Sequence, residues 1–113
     1  MPTMRTVLYP VSDFEAAKAV YTTLLGVEPT TDQPYYVGFS VDGLDIGLTP
    51  NRQDGETAVN FWEVDDIESS YQALVSAGAK PERPIGNVGG GKLVGTVRDV
   101  DGNVIGLIQP GPA

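Results

Sequence analysis

The side chains that could carry out chemistry in this chain are mainly carboxylates, because its sequence contains neither histidine nor cysteine. The chain therefore lacks the commonest general base and the commonest ligand of transition metals. It also has no disulfide, no thiol redox chemistry and no thiolate metal site. Fifteen acidic residues outnumber seven basic ones and give a net charge of −8. That charge argues against a nucleic acid or an anionic membrane surface as a partner.

Two segments resemble ion-binding motifs, but each lacks a part on which the motif depends. Residues 86–92 match the phosphate-loop pattern G-x-x-x-x-G-K, yet Leu93 follows where Ser or Thr would bind Mg²⁺, and residues 94–97 have a strand pattern instead of a helical one. Residues 84–91 are better interpreted as a flexible loop that could act as a lid. Residues 99–103 resemble a calcium loop, but the glycine comes two places early and no glutamate follows at the twelfth position, so they predict a turn.

The strongest structural signal is a seven-residue sequence, Asp-Gly-x-x-Ile-Gly-Leu, which occurs at residues 42–48 and again at residues 101–107. Asp-Gly between two alternating apolar runs is typical of a tight β-hairpin, because glycine adopts a positive φ without a steric penalty. The two copies lie about half a chain length apart. This spacing indicates one structural unit that is used twice.

The residues before each copy predict the same order of elements. In the first half, residues 5–11 form a predicted strand, Ser12 or Asp13 caps a helix, and Gly26 ends that helix. The corresponding features of the second half are a strand at residues 57–64, a cap at Asp65 or Asp66 and a helix stop at Gly78.

The remaining alternating runs complete a predicted α+β fold of two βαβββ modules in tandem. The further strands are expected at residues 35–41, 44–49, 92–98 and 103–109, with a short strand or loop at residues 27–34. A chain of 113 residues is expected to form a single domain. The first module would cover about residues 1–50, a polar connector residues 51–56, and the second module about residues 57–113. Neither a leader pattern nor a long apolar run is present, so we expect the cytoplasm and no membrane association.

Short motifs at the ends of these elements agree between the halves. Val11-Ser12-Asp13 and Val64-Asp65-Asp66 open the two helices, and residues 99–103 form a polar turn before the last strand. Together with the repeat, these motifs resemble the vicinal oxygen chelate superfamily, which includes glyoxalase I, the bleomycin-resistance proteins and the extradiol dioxygenases. The resemblance extends over nearly the whole chain. It implies a curved mixed sheet with a concave cleft for a small molecule, and a homodimer.

The resemblance also implies where a metal ion would be held. In metal-dependent members, each half supplies a His or Gln from its first strand and a carboxylate from its last strand. The matching positions of this chain are Thr6, Gly47, Val59 and Gly106. Threonine is a poor ligand, valine is none, and glycine has no side chain, whereas a catalytic divalent site needs three or four N, O or S donors. We therefore expect neither a metal ion nor another cofactor.

Gly47 and Gly106 bear on the shape of the implied cleft. A glycine inside a strand often marks the close approach of a ligand or of another backbone. One interpretation is that both glycines leave the floor of the cleft open for a ligand. The other is that packing against a neighbouring strand or helix requires glycine there.

Strand alternation extends the first interpretation to the surrounding side chains. Asp45 and Glu63 would be carboxylates in an apolar concavity or, alternatively, solvated charges on its rim. Alternation places Trp62 more readily in the core than in the cleft, and the directions of Tyr36 and Phe39 stay open. The candidate ligand-binding residues are Leu8, Tyr36, Phe39, Asp45, Gly47, Phe61, Trp62, Glu63 and Gly106.

The function that the resemblance implies is that of a metal-independent, bleomycin-resistance-like protein that sequesters an amphipathic aromatic compound. The negative charge of the chain favours a cationic compound through electrostatic steering. An alternative is a metal-free lyase or isomerase with Glu63 or Asp45 as the general base, since a carboxylate in an apolar pocket can be tuned toward neutral pH. A third interpretation is a binding subunit or regulator whose partner is another protein.

Overall fold

The structure, a computed structural model, describes residues 2–112 and has two helices and eight strands in that range. The elements follow in the order β1 (Thr3–Pro10), α1 (Phe14–Leu25), β2 (Thr31–Gln33), β3 (Tyr36–Val41), β4 (Leu44–Thr49), β5 (Val59–Glu63), α2 (Ile67–Ser76), β6 (Lys80–Asn87), β7 (Leu93–Arg98) and β8 (Val104–Gln109). This order confirms the α+β class and the repeated βαβββ pattern. The chain divides into two compact units, which we call the first module (Arg5–Val59) and the second module (residues 2–4 with 60–112). No helix within the described range is long and apolar enough to cross a membrane.

Both helices begin at a predicted capping residue. The carboxylate of Asp13 accepts a hydrogen bond from the backbone N–H of Ala16 at 3.1 Å, and Gly26 ends α1 in the left-handed conformation with φ of 72°. Asp66 caps α2 in the same way and accepts from the backbone N–H of Ser69 at 3.2 Å. These carboxylates satisfy N–H groups that the first turn of a helix leaves without a partner.

In the first module, the strands lie in the order β2-β3-β4-β1, with β1 and β4 parallel and the other neighbours antiparallel. One side of this sheet packs against α1. The buried core on that side consists of Val37, Phe39, Ile46 and Leu48, with Phe14, Ala17 and Tyr21 of the helix packed against it. Because side chains alternate along a strand, the intervening residues of β3 and β4 point away from α1.

The second module repeats this arrangement, with its strands in the order β5-β8-β7-β6 and its core against α2. The buried core residues are Val64, Ile67, Tyr71, Val97 and Leu107. The hydroxyl of Tyr71 lies 3.1 Å from the backbone oxygens of both Arg83 and Thr96, and these two acceptors share its single proton. This helix side chain thereby connects α2 to β6 and β7.

The two Asp-Gly hairpins differ in their turns. Asp42 and Gly43 have φ values of 48° and 83° and alone join β3 to β4, which confirms the tight turn predicted there. The second turn is wider and covers residues 99–103, which confirms the polar turn predicted there. Asp99 causes the difference, because its carboxylate accepts hydrogen bonds from the backbone N–H groups of Asp101 and Asn103, both at 2.9 Å.

The segment at residues 84–91, predicted as a loop and possible lid, is only partly a loop. Strand β6 continues to Asn87, so the turn that follows is shorter than expected. The C-terminal segment packs against that turn. A Cβ atom added to Gly91 would lie 2.7 Å from Cδ of Pro112, and one added to Gly111 would overlap the backbone of the turn.

Candidate functional site

The candidate site of the first module is the side of its sheet that faces away from α1. Ile46 and Leu48 belong to the core under α1, so Gly47 between them points to the opposite side. The strand register extends this side to both neighbouring strands, because Gly38 and Leu8 are the Cα partners of Gly47. We call it the Tyr36 face, and it carries Thr6, Leu8, Tyr36, Gly38, Ser40, Asp45 and Gly47.

The ring of Tyr36 lies across two glycines of this face. A Cβ atom added to Gly38 would lie 2.8 Å from Cε2 of Tyr36, and one added to Gly47 would lie 2.7 Å from Cε1. The same atom on Gly47 would lie 2.6 Å from Cδ2 of Leu8. These separations are well below van der Waals contact, so only glycine lets the ring approach both strands so closely. An aromatic surface covers Gly47, and the prediction of an open floor there is wrong.

Next to the ring, three polar side chains form a row across three neighbouring strands. Asp45 on β4 is the Cα partner of both Ser40 on β3 and Thr6 on β1. Since adjacent strands lie about 4.8 Å apart, the carboxylate has a hydroxyl-bearing residue on each side. Asp45 and Ser40 are exposed, and Thr6 is half-buried. We call these residues the polar row; among residues 2–112, none of their side chains makes a hydrogen bond or an ion pair.

The phenol of Tyr36 is held in its neutral form. Burial raises the pKa of Tyr36 above its usual value of 10.0, and the negative charge of Asp45 raises it further. A phenolate would be poorly hydrated at this position and would also repel the carboxylate. The Tyr36 face therefore combines an uncharged aromatic ring with a carboxylate beside it.

On the corresponding side of the second module, a phenylalanine ring instead of a tyrosine ring lies against the strand glycine. Leu107 belongs to the core against α2, so its neighbour Gly106 points away from the helix. Phe61 is the Cα partner of Gly106, and a Cβ atom added to the glycine would lie 2.5 Å from Cδ2 of Phe61. The predicted open floor is wrong at this glycine as well. We call this side the Phe61 face, and it carries Phe61, Glu63, Thr96, Arg98, Val104 and Gly106.

Polar groups at the Phe61 face bind one another. The hydroxyl of Thr96, which is buried, donates a hydrogen bond to Oε2 of Glu82 at 2.8 Å. Oε1 of Glu82 pairs with Nη2 of Arg98 at 2.5 Å, and Nη1 of Arg98 donates to the backbone oxygen of Gly102 at 2.8 Å. The register between β6 and β7 shifts on either side of Arg83, next to Glu82. Such irregularities change the direction of nearby side chains, and this allows Glu82 to reach these partners. Sequence reasoning missed Glu82, since its Pro-Glu-Arg-Pro context shows no strand alternation.

Two of the predicted ligand-binding residues do not lie on either face. Phe39 is 1% exposed in the core under α1, because alternation along β3 sends it to the side opposite Tyr36. Trp62 is the Cα partner of Leu107 and so points to the α2 side of its sheet, while Glu63 points to the other side. Both assignments are corrected. The structure places Leu8, Tyr36, Asp45 and Gly47 together on the Tyr36 face, and Phe61, Glu63 and Gly106 together on the Phe61 face.

The four positions at which the resemblance implies metal ligands do not suit a metal ion. Thr6 and Val59 offer one weak oxygen donor between them, and the two glycines offer none. Aromatic rings also lie against Gly47 and Gly106. Within the part of the chain that the structure describes, no three His, Cys, Asp or Glu residues are grouped closely enough to hold a metal ion. The donor set therefore does not fit a catalytic divalent metal.

The sequence of the chain matches a known family over most of its length. The model of the Glyoxalase/Bleomycin resistance protein/Dioxygenase superfamily matches residues 3–107. The chain belongs to this superfamily. The predicted resemblance to this superfamily is thereby confirmed.

Solved structures of other members resemble this chain over most of its length. A superfamily member from Vibrio splendidus 12B01 is 21% identical with a TM-score of 0.75, and the match covers 96% of this chain and all of that one. Methylmalonyl-CoA epimerase from Mycobacterium tuberculosis is 17% identical with a TM-score of 0.75, over 96% and 88% of the two chains. The Mn(II)-bound glyoxalase from Novosphingobium aromaticivorans is 20% identical with a TM-score of 0.69, over 96% of this chain and 40% of that one. Such identities show a common fold, and no curated protein sequence matches the chain.

Proposed function

We propose that this superfamily member binds a small aromatic compound on the Tyr36 face without the help of a metal ion. The observation that carries the proposal is the ring of Tyr36 lying on Gly38 and Gly47, one of the positions where a metal ligand is implied. The ring and Leu8 offer an apolar surface, and Asp45 lies beside it. Binding sites for small molecules commonly combine an apolar surface with a few well-placed polar groups.

The proposed role is sequestration of the compound, as in the bleomycin-resistance branch of the superfamily. A metal-free lyase or isomerase would instead need Asp45 or Glu63 as a general base. Asp45 is exposed to solvent, and water competes at such a position with proton transfer from a substrate. This exposure favours binding over catalysis.

Isothermal titration with a panel of small aromatic compounds tests the proposal. The panel contains benzamide, benzoate, benzamidine and their naphthyl analogues. At least one compound should bind saturably to the wild type, and Tyr36→Leu should remove that binding. Tyr35→Leu is the matched control, because it removes a neighbouring tyrosine that is 70% exposed and lies outside strand β3. Circular dichroism confirms that both variants fold.

Two results would contradict this function. One is the absence of saturable binding by any compound of the panel. The other is an equal loss of affinity in both tyrosine variants, because the effect would then not depend on the Tyr36 face. Mass spectrometry of a bound compound after incubation separates sequestration from turnover: the compound should be recovered unchanged. Elemental analysis of the untagged protein should find no stoichiometric Zn, Ni, Fe or Mn.

A further inference from the structure

The two modules use their equivalent polar positions in different ways. Ser40 and Asp45 are Cα partners in the first module, and Arg98 and Val104 are the corresponding partners in the second. Arg98 forms an ion pair with Glu82, and the side chain of Val104 has no polar atom. Within residues 2–112, the first module thus keeps a polar row whose groups do not bind one another, whereas in the second module Glu82 binds both Thr96 and Arg98.

The polar row is built from hydrogen-bond acceptors around one carboxylate. Asp45 contributes two oxygens, and the hydroxyls of Thr6 and Ser40 can also accept on either side of it. A cation that carries several N–H groups could bond to more than one member of the row. A cation without N–H groups would use the charge of Asp45 alone, and a carboxylate ligand would be repelled by it.

The ring of Tyr36 lies at a suitable distance from the row. It covers Gly38 and Gly47, each of which is two residues from its row neighbour, Ser40 or Asp45. Two residues of a strand span about 7 Å. A ligand ring lying on Tyr36 would therefore place a nitrogen substituent of ordinary length over the polar row.

Resting on the proposed binding function, we infer that the polar row recognises the N–H groups of an aromatic amidine, guanidine or primary amine whose ring lies on Tyr36. The negative charge of the chain supports the same class of ligand, since it attracts cations from solution.

Four probes of similar size separate charge from hydrogen bonding. Benzamidine is a cation with N–H donors, phenyltrimethylammonium is a cation without them, benzamide is neutral, and benzoate is an anion. A hydrogen bond to a charged group is worth enough to change affinity about tenfold. Benzamidine should therefore bind about tenfold more tightly than phenyltrimethylammonium or benzamide, and benzoate should bind most weakly.

Substitutions in the polar row test which of its residues cause the preference for benzamidine. Asp45→Asn should weaken benzamidine about tenfold and benzamide by a smaller factor, because benzamide also donates N–H groups to the carboxylate but carries no positive charge. Thr6→Val and Ser40→Ala should each weaken benzamidine but not phenyltrimethylammonium. Asp42→Asn is the matched control, because it removes the same charge from the nearby hairpin tip, where asparagine tolerates the positive φ of 48°.

The outcomes separate this inference from the proposed function. If benzamide and benzoate bind as tightly as benzamidine, and Tyr36→Leu still removes all binding, the function stands and the inference is overturned. The inference also fails if Asp42→Asn weakens benzamidine as much as Asp45→Asn does, because the preference would then come from the charge of the whole chain. If no probe or panel compound binds at all, the proposed function fails.

Discussion

Replacement of Gly106 by alanine should destabilise the protein, although alanine is ordinarily preferred over glycine within a strand. The added Cβ atom would lie 2.5 Å from Cδ2 and 2.8 Å from Cγ of Phe61. Phe61 is only 7% exposed, so its ring has little free space into which it can move. Overpacking of this kind costs about 1–3 kcal/mol. In a domain of this size, each kcal/mol should lower the melting temperature by about 4 °C or more.

Gly86 supplies the matched control in the same module. It lies in β6, and no heavy atom stands within 4 Å of a Cβ atom added there. Gly86→Ala should therefore stabilise the protein by about 0.4–1 kcal/mol, because alanine reduces the conformational freedom of the unfolded chain. Urea unfolding of the two variants should thus give free-energy changes of opposite sign.

A second substitution tests whether the ring of Phe61 is the cause. In a Phe61→Leu background, the planar ring is absent, and the cost of Gly106→Ala should shrink by about 1 kcal/mol or more. The reasoning is refuted if Gly106→Ala is as harmless as Gly86→Ala. It is refuted equally if Gly106→Ala costs the same free energy with and without the ring.

Asp45→Asn should lower the pKa of one tyrosine, Tyr36, toward 10.0 in an ultraviolet titration, because it removes a nearby negative charge. Since the folded-state pKa of Tyr36 lies above the unfolded value, its contribution to stability is complete below pH 10 and should be lost as the pH rises through the raised pKa. Asp66→Ala should lower the melting temperature and Asp65→Ala should not. A backbone hydrogen bond from the first turn of α2 holds the pKa of Asp66 below 3.8, so this difference should disappear as the pH falls through the lowered value. Gly111→Ala should speed hydrogen exchange in the turn after β6; unchanged exchange would contradict the contact between them.

The features that the sequence predicts correctly are those with a local physical cause. Asp13 and Asp66 cap their helices because a carboxylate accepts hydrogen bonds from the first turn. Asp42 and Gly43 form the tight turn because both tolerate a positive φ. The polar turn at residues 99–103 has a local cause as well, because the carboxylate of Asp99 accepts hydrogen bonds from the backbone N–H groups of Asp101 and Asn103.

Which residues make up the candidate site depends on contacts between segments that are far apart in the sequence. Strand β3 alternates between Val37 and Phe39 on one side and Gly38 and Ser40 on the other, which favours burial of Phe39. The tyrosines at its start hid this pattern, because an aromatic residue fits either side. The side chain that packs against a strand glycine also depends on the register between that strand and its neighbours. The sequence of a single strand does not determine that register.

The two modules share one fold but differ in whether their polar side chains bind one another. Glu82 is tied to Thr96 and Arg98, and a polar group that is engaged in this way contributes to folding and is not free to bind a ligand. The polar row of the first module has no such engagement within the described residues, and its carboxylate is exposed. Substitution of Glu82 should therefore act mainly on the melting temperature, and substitution of Asp45 mainly on ligand affinity. The second module would then supply stability, while the first keeps the groups that recognise a ligand.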